Sequence, residues 1–339
     1  MSLTILPITG IGDISPGDDL ASLITGAAAW LVDGDVLVVT SKIVSKAEGN
    51  LAPVPREPGP DRDAAKTAVL ASETSRVVAT RGATRIVATH HGFVMAAGGI
   101  DESNVDRDHL VLLPKDPDAS ARSLRSDLRT RYGLDVVIII SDTMGRPWRN
   151  GLTDVALGVA GLDPLRDYRG EHDAYGNELS ITQMSAVDEI CGAAELVKGK
   201  YDQVPVAVVR GLGITGTPDG PGASVLLRSA ETDMFSLGTA EARADGLRMA
   251  AHLDGIEPPM PPVVSVDVAI VRALAASGSA WKRVDATLEP LVDADARPGA
   301  VARVGVAVHM LRCSLAADGY ASSWLPPDGA GLGVITVGP

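Results

Sequence analysis

The chain has 339 residues, 45 % of them hydrophobic and 22 % charged, a balance that gives a globular protein long enough for two domains. Its net charge of −13, from 43 acidic against 30 basic residues, excludes nonspecific nucleic-acid binding, because little here would displace counterions from a phosphate backbone. It leaves room for a nucleotide held through a divalent metal, since such an ion bridges acidic side chains to phosphates.

Strand-like runs recur along the chain at 3–7, 36–40, 86–89, 110–113, 136–140 and 204–209, with helical patterns between them. The N-terminus carries Asp13, Asp18 and Asp19 where a signal peptide would need an apolar stretch. A helix is expected over 18–31, capped at Asp18 or Asp19 and stopped near Asp33-Gly34. A second is expected over 120–132, and a third over 182–197 with Thr182 as N-cap. Alternating strands and helices indicate an α/β or α+β fold. Near residue 255 the composition shifts: "GIEPPMPPVV" reads as a linker over 255–264, which sets an N-terminal domain at 1–254 and a C-terminal segment at 265–339. That segment shows helical patterns near 270–292 and 298–319 and a closing strand, "GLGVITVG". No segment approaches the roughly 20 apolar residues of a membrane span, and two cysteines, Cys191 and Cys313, argue against a disulfide framework. The expectation is a cytoplasmic protein without membrane or nucleic-acid partners.

Four stretches carry chemistry. "GLGITG" at 211–216 matches GxGxxG after a strand, but the chain continues Thr217-Pro218-Asp219-Gly220, which cannot open a helix, so it is read as a loop. "VVTSKIVSKAEG" at 38–49 is either a helix start with solvated lysines or a phosphate site using Ser41 and Lys46. "AAGGIDESNV" at 96–105 places Asp101 and Asn104 past a diglycine, as an Asx turn or as a ligand loop. "IIISDTMGRPWRNG" at 138–151 brings Asp142 and Thr143 to the mouth of a buried strand, with Arg146 and Arg149 close behind. A strand-end aspartate is often a cap, but Asp101, Asp142 and Thr143 are also the hard oxygen donors that Mg²⁺ or Mn²⁺ prefers. The arginines suit bidentate contact with a carboxylate or phosphate.

Together, "LPITGIGDISPGDDL", "DGDVLVVTSKIVSKAEG", "GGIDESNV", "IIISDTMGRPWRNG" and "AVDEICGAAELVKGK" resemble the coenzyme F420-0:L-glutamate ligase family, over roughly residues 1–250 and in order. The resemblance implies a fold unlike that of P-loop ligases, a homodimer, GTP as co-substrate, and two divalent cations, Mg²⁺ or Mn²⁺. It implies glutamate joined to F420-0 through an acyl phosphate. By motif, Ile11, Gly12, Asp13, Ile14, Ser41, Lys46 and Asn104 would contact the nucleotide. Asp101 and Asp142 would hold one metal, Thr143 would help hold the second, and Asp142, Arg146 and Arg149 would serve the chemistry. Arg166 and Arg169 are further candidates for an anionic substrate.

One position departs from the pattern. After "AELV" the family often has Met-Gly-Gln or Met-Gly-Glu, whose last residue helps bind the second metal; here the chain reads Lys198-Gly199-Lys200. A charged ammonium has no lone pair and cannot coordinate a cation. Residues 301–324 resemble a helix and turn of the nitroreductase-like FMN domain that some members carry. Only the 75 residues of 265–339 follow the linker, which implies a truncated tail without FMN. A related ligase acting on a different carboxylate, or a non-catalytic nucleotide- or F420-binding homologue, are the alternative functions.

Overall fold

The computed structural model describes residues 2–199, 201, 203–215, 217–229, 231–250, 256–278, 281–291, 298–325 and 333–338. Among these residues it is a mixed α/β protein with eight α-helices and several sheets. The chain divides into two compact units, 1–238 and 239–339. The proline-rich stretch therefore falls inside the second unit, where the backbone of Pro261 and Pro262 lies against Gly319. Lys200 lies outside the described residues.

The first unit is built on a five-stranded sheet. Its strands run in the order Thr4–Ile8, Val206–Arg210, Val36–Thr40, Val137–Arg146, Arg149–Ala160. Only the pairing of Val36–Thr40 with Val137–Arg146 is parallel. Side chains alternate across a strand, and residues 36–39 and 137–140 of the two paired parallel strands are apolar at every position, so both faces need cover. Leu37, Val39, Ile138 and Ile140 meet Ile24, Leu124 and Leu128 on one face. Val36, Val38, Val137 and Ile139 meet Val187, Ile190, Cys191 and Ala194 on the other. Those partners come from helices Leu20–Ala27 and Pro117–Tyr132 on the first side and from Ala186–Lys198 on the second.

Several expected boundaries move. The first helix begins at Leu20, capped by Asp19, whose side chain accepts from the Ser22 N–H, and it ends at Ala27. The helix expected from Thr182 starts at Ala186; residues 183–185 instead form a strand against Leu165–Asp167. The strand expected to stop at Ile140 runs on to Arg146 as one arm of a hairpin with Arg149–Ala160, because residues 141–146 find a second strand to pair with. The GxGxxG stretch does not open a helix. Its continuation is tied to Arg125, whose buried guanidinium donates to Thr217 O at 2.9 Å and to Asp219 at 2.6 Å.

The second unit has its own core of Ile270, Ala273, Leu288, Leu311, Leu315 and Ile335. The helix expected over 270–292 ends at Ser277, because Gly278 (φ 61°) caps it in the left-handed region. A hairpin, Trp281–Val284 with Thr287–Pro290, follows and joins strands Ser322–Leu325 and Val334–Val337 in an antiparallel sheet. The expectation that no segment could span a bilayer also needs correction. Residues 299–317 of helix Pro298–Ala317 are long and apolar enough by length and composition, although Val304, Leu311 and Leu315 pack into the unit's core.

Candidate functional site

The parallel pair fixes where the site lies. Thr40 and Ser141 sit in register at the carboxyl ends of the two strands, the place where open α/β sheets bind ligands. Beyond that point the chains diverge. Ser41 opens the helix Ser41–Ala47, while Asp142 and Thr143 continue in the hairpin opposite Val155 and Asp154. Around these ends lies a cavity of about 1100 Å³. Its walls come from the loop of Gly12, Asp13 and Ile14, the helix face of Lys42 and Lys46, the turn of Asp101, Ser103 and Asn104, the hairpin pair Thr143 and Asp154, and the helix end at Glu195 and Lys198.

Three lysines reach this cavity, and each meets an aspartate. Lys42 and Lys46 are four apart, so one face of a helix presents both. Lys42 Nζ lies 2.6 Å from Asp101 and donates to Ser103 Oγ at 2.7 Å. The Asp101 carboxylate also accepts from the Ser103 N–H at 2.7 Å, so the Asx turn and the ligand loop are the same structure. Asn104 follows at φ 54°. The diglycine does not bring backbone to a ligand: a Cβ on Gly99 would collide with Leu113, so those glycines serve packing. Lys46 is buried and pairs with Asp13, whose side chain is 87 % exposed.

The third pair is buried on both sides. Lys198 and Asp154 are each 3 % exposed, with Nζ 2.6 Å from Oδ2. Lys198 also donates to Ser141 Oγ at 2.9 Å and lies 3.5 Å from Glu195. Asp154 in turn accepts from Ser141 Oγ at 3.0 Å and from Thr143 Oγ1 at 2.9 Å. Burial alone would raise the Asp154 pKa, but the Lys198 ammonium and the two hydroxyls hold it below the ordinary carboxylate value. Asp101 behaves alike, with Lys42 and the Ser103 N–H outweighing burial. Asp142 is the exception. Burial, opposed by the Thr143 N–H and then reinforced by the negative charges of Asp154 and Asp101, pushes it up to about 6.

That crowding is the local test of a cation. Asp142 is a carboxylate held among carboxylates, and a divalent ion would relieve the repulsion that raises its pKa. Asp101, Asp142 and Thr143 offer hard oxygen donors, which suits Mg²⁺ or Mn²⁺. Among the described residues no three His, Cys, Asp or Glu side chains gather into a ready-made cage, so waters and substrate oxygens would complete the shell.

Of the residues expected from sequence, Gly12, Asp13, Ile14, Lys46, Asn104, Asp101 and Thr143 line the cavity. Ile11 and Ser41 are buried and are not part of its wall. Asp142 lies behind the wall, close enough to Asp101 and Asp154 to feel their charges. Arg146 and Arg149 face each other across the exposed hairpin tip rather than in the cavity. Arg166 stacks on Tyr168 and Arg169 pairs with Asp167, both at the surface. Sequence reasoning missed Lys42, Ser103, Asp154 and the pairing of Lys198. The four-residue spacing to Lys46 could have found Lys42; Asp154 required the hairpin register.

A cavity that pairs lysines with carboxylates beyond the ends of parallel strands is a candidate site for an anionic ligand. Residues 10–211 match the family described as F420-0:Gamma-glutamyl ligase. The chain is 38 % identical over 250 residues to the coenzyme F420:L-glutamate ligase of Methanothermobacter thermautotrophicus, covering 69 % of this chain and 99 % of that protein. It is 39 % identical over 251 residues to the enzyme of the same name from Methanopyrus kandleri, covering 69 % and 98 %. The Haloarcula marismortui protein of that name is 37 % identical over 248 residues, covering 68 % and 95 %. The chain belongs to the F420-0:gamma-glutamyl ligase family.

Proposed function

We propose that this protein is a ligase that joins L-glutamate to coenzyme F420-0 by a γ-glutamyl amide bond, with GTP as the energy source. The observation that carries the reading is the convergence of Lys42, Lys46 and Lys198 with Asp101, Asp142 and Thr143 at the ends of one parallel strand pair. Lys46 can exchange an exposed aspartate for a phosphate oxygen at little cost, since it gives up a solvated partner for a charge-assisted contact. Lys42 stands beside Asp101 and steadies the turn that carries Asn104. Gly12, with φ 80°, brings the backbone of the Gly12–Ile14 loop to the same wall.

In the reaction, an acceptor carboxylate oxygen attacks the γ-phosphorus of GTP and GDP leaves. The glutamate amine then attacks the resulting acyl carbon and phosphate leaves. Lys42 and Lys46 would orient the phosphates in line with the acceptor, so that positioning supplies much of the acceleration. Asp101, Asp142 and Thr143 would hold divalent ions, which when bound offset the charge on the transferring phosphoryl group. Arg146 ends the hairpin arm that continues from Thr143, Arg149 opens the return arm, and both would serve the anionic acceptor from the hairpin tip.

The hairpin turn exposes Trp148 at 79 % and the return arm exposes Leu152 at 68 %, and Tyr175 and Ile181 are exposed as well, apolar area that supports a homodimer. The second unit, with one small antiparallel sheet, is read as a reduced nitroreductase-like remnant that binds no FMN. The test is incubation with F420-0, glutamate, GTP and Mn²⁺, followed by mass spectrometry. Gain of glutamyl units with matching GDP supports the proposal. GTP turnover only on another carboxylic acid would move the reading to a different acceptor.

A further inference from the structure

Lys198 is an unusual wall for a cavity that takes a polyanion. It is not an extended surface lysine but a buried one, and its ammonium is fixed by Asp154, Ser141 and Glu195. It ends the helix Ala186–Lys198, where the partial negative charge of the last carbonyls favours a cation. Asp154 is equally committed. Oδ2 accepts from Lys198 and Ser141, and Oδ1 accepts from Thr143. A buried carboxylate so engaged is not available to a metal unless the ammonium leaves, and leaving would strand a charge in a site 3 % exposed.

We infer that Lys198 is a built-in cation that stands in for a divalent ion at Asp154, keeping that carboxylate out of metal coordination while it aligns Thr143. This rests on the reading of the cavity as a metal–nucleotide site. Lys198 is thus a positioning residue. Its charge compensates Asp154, and Asp154 accepts the hydrogen bond of the Thr143 hydroxyl, which fixes the direction in which the oxygen can accept. Of the carboxylates expected to hold a divalent ion, Asp101 and Asp142 keep that role.

The experiment is a Mn²⁺ titration of the full chain, without nucleotide, read from the electron paramagnetic resonance signal of free Mn²⁺. Lys198→Met, which keeps the length and loses the charge, is expected to bind one more Mn²⁺ per chain than wild type, or to bind it at least tenfold more tightly. Lys198→Arg is expected to match wild type. The double variant Lys198→Met/Asp154→Asn, which leaves no unpaired charge, is also expected to match wild type. Lys198→Met with unchanged stoichiometry and affinity would overturn the inference, as would a gain that survives in the double variant. If Lys198→Met alone does not fold, the double variant still decides: loss of a Mn²⁺ equivalent relative to wild type would show that Asp154 is a ligand after all. The ligation assay separates this from the proposed function, because an active wild-type enzyme whose Lys198→Met variant gains no ion contradicts the present inference alone.

Discussion

Two lysine–aspartate pairs face the same cavity and differ in almost everything but chemistry. Lys46 pairs with Asp13, a carboxylate 87 % exposed on a glycine-bordered loop, while Lys198 pairs with Asp154 where both partners are 3 % exposed. An ion pair with one member in water adds little to stability and is easily traded for another anion. A buried pair contributes less to net stability than its Coulomb energy suggests, but removing one member leaves an uncompensated charge. The first wall of the cavity is therefore built for exchange and the second for permanence. Both lysines are buried, so it is the exposure of the aspartate partner that separates the lysine free to take a ligand from the one that holds the frame.

The largest expected effect breaks the permanent wall. In metal-free buffer, Lys198→Met should lower stability by about 3–5 kcal/mol, measured by urea denaturation, because Asp154 is left buried and unpaired. A loss below about 1 kcal/mol would place Lys198 in the same class as Lys46. Next, Lys46→Ala should raise the KM for GTP by one to two orders of magnitude, about 1.5–3 kcal/mol for a charge-assisted contact. An unchanged KM would leave Lys46 as no more than the structural partner of Asp13.

A third variant probes the carboxylate between the two walls. The folded-state pKa of Asp142 is raised to about 6, so the folded protein holds this proton more tightly than the unfolded chain does. Its ionisation therefore costs stability as pH rises from the ordinary carboxylate value through about 6, and the full cost is present above that window. Asp142→Asn in metal-free protein should gain about 1–3 kcal/mol at pH 8, and the gain should shrink steadily as pH falls toward 4. A gain independent of pH would mean that the amide simply packs better. The smallest effect is at the exchangeable wall: Asp13→Ala should change stability by less than about 1 kcal/mol, because Asp13 itself is solvated and water or a buffer anion can take its place beside Lys46. A larger loss in thermal denaturation would show that the loop is fixed by this pair.

Much of the frame was legible in the residues. The β-branched runs at Val36–Thr40 and Val137–Ile140 are apolar on both faces and appear as the two paired parallel strands. Asp101, Lys46, Asn104 and Thr143 also reach the cavity as their motifs suggested. The rest depended on pairing that no local pattern states. "SDTMGR" reads as a break because its residues are polar and one is glycine, yet it is strand, since Arg149–Ala160 supplies the ladder. The register of that hairpin is what sets Asp154 opposite Thr143, and Lys198 finds Asp154 across 44 residues of chain. In sequence the position read as unable to ligate a metal is Lys200; the partner of Lys198, and so its role, is a tertiary fact.

The central claim is that the strand ends deliver Asp142 to the chemistry of glutamate ligation. The most direct measurement compares wild type with Asp142→Ala, both incubated with F420-0, glutamate, GTP and saturating Mn²⁺, with product read by mass spectrometry and folding checked by circular dichroism. Glutamyl-extended F420 from wild type and none from a folded variant is the predicted result. A folded Asp142→Ala variant that ligates glutamate at near the wild-type rate would contradict it.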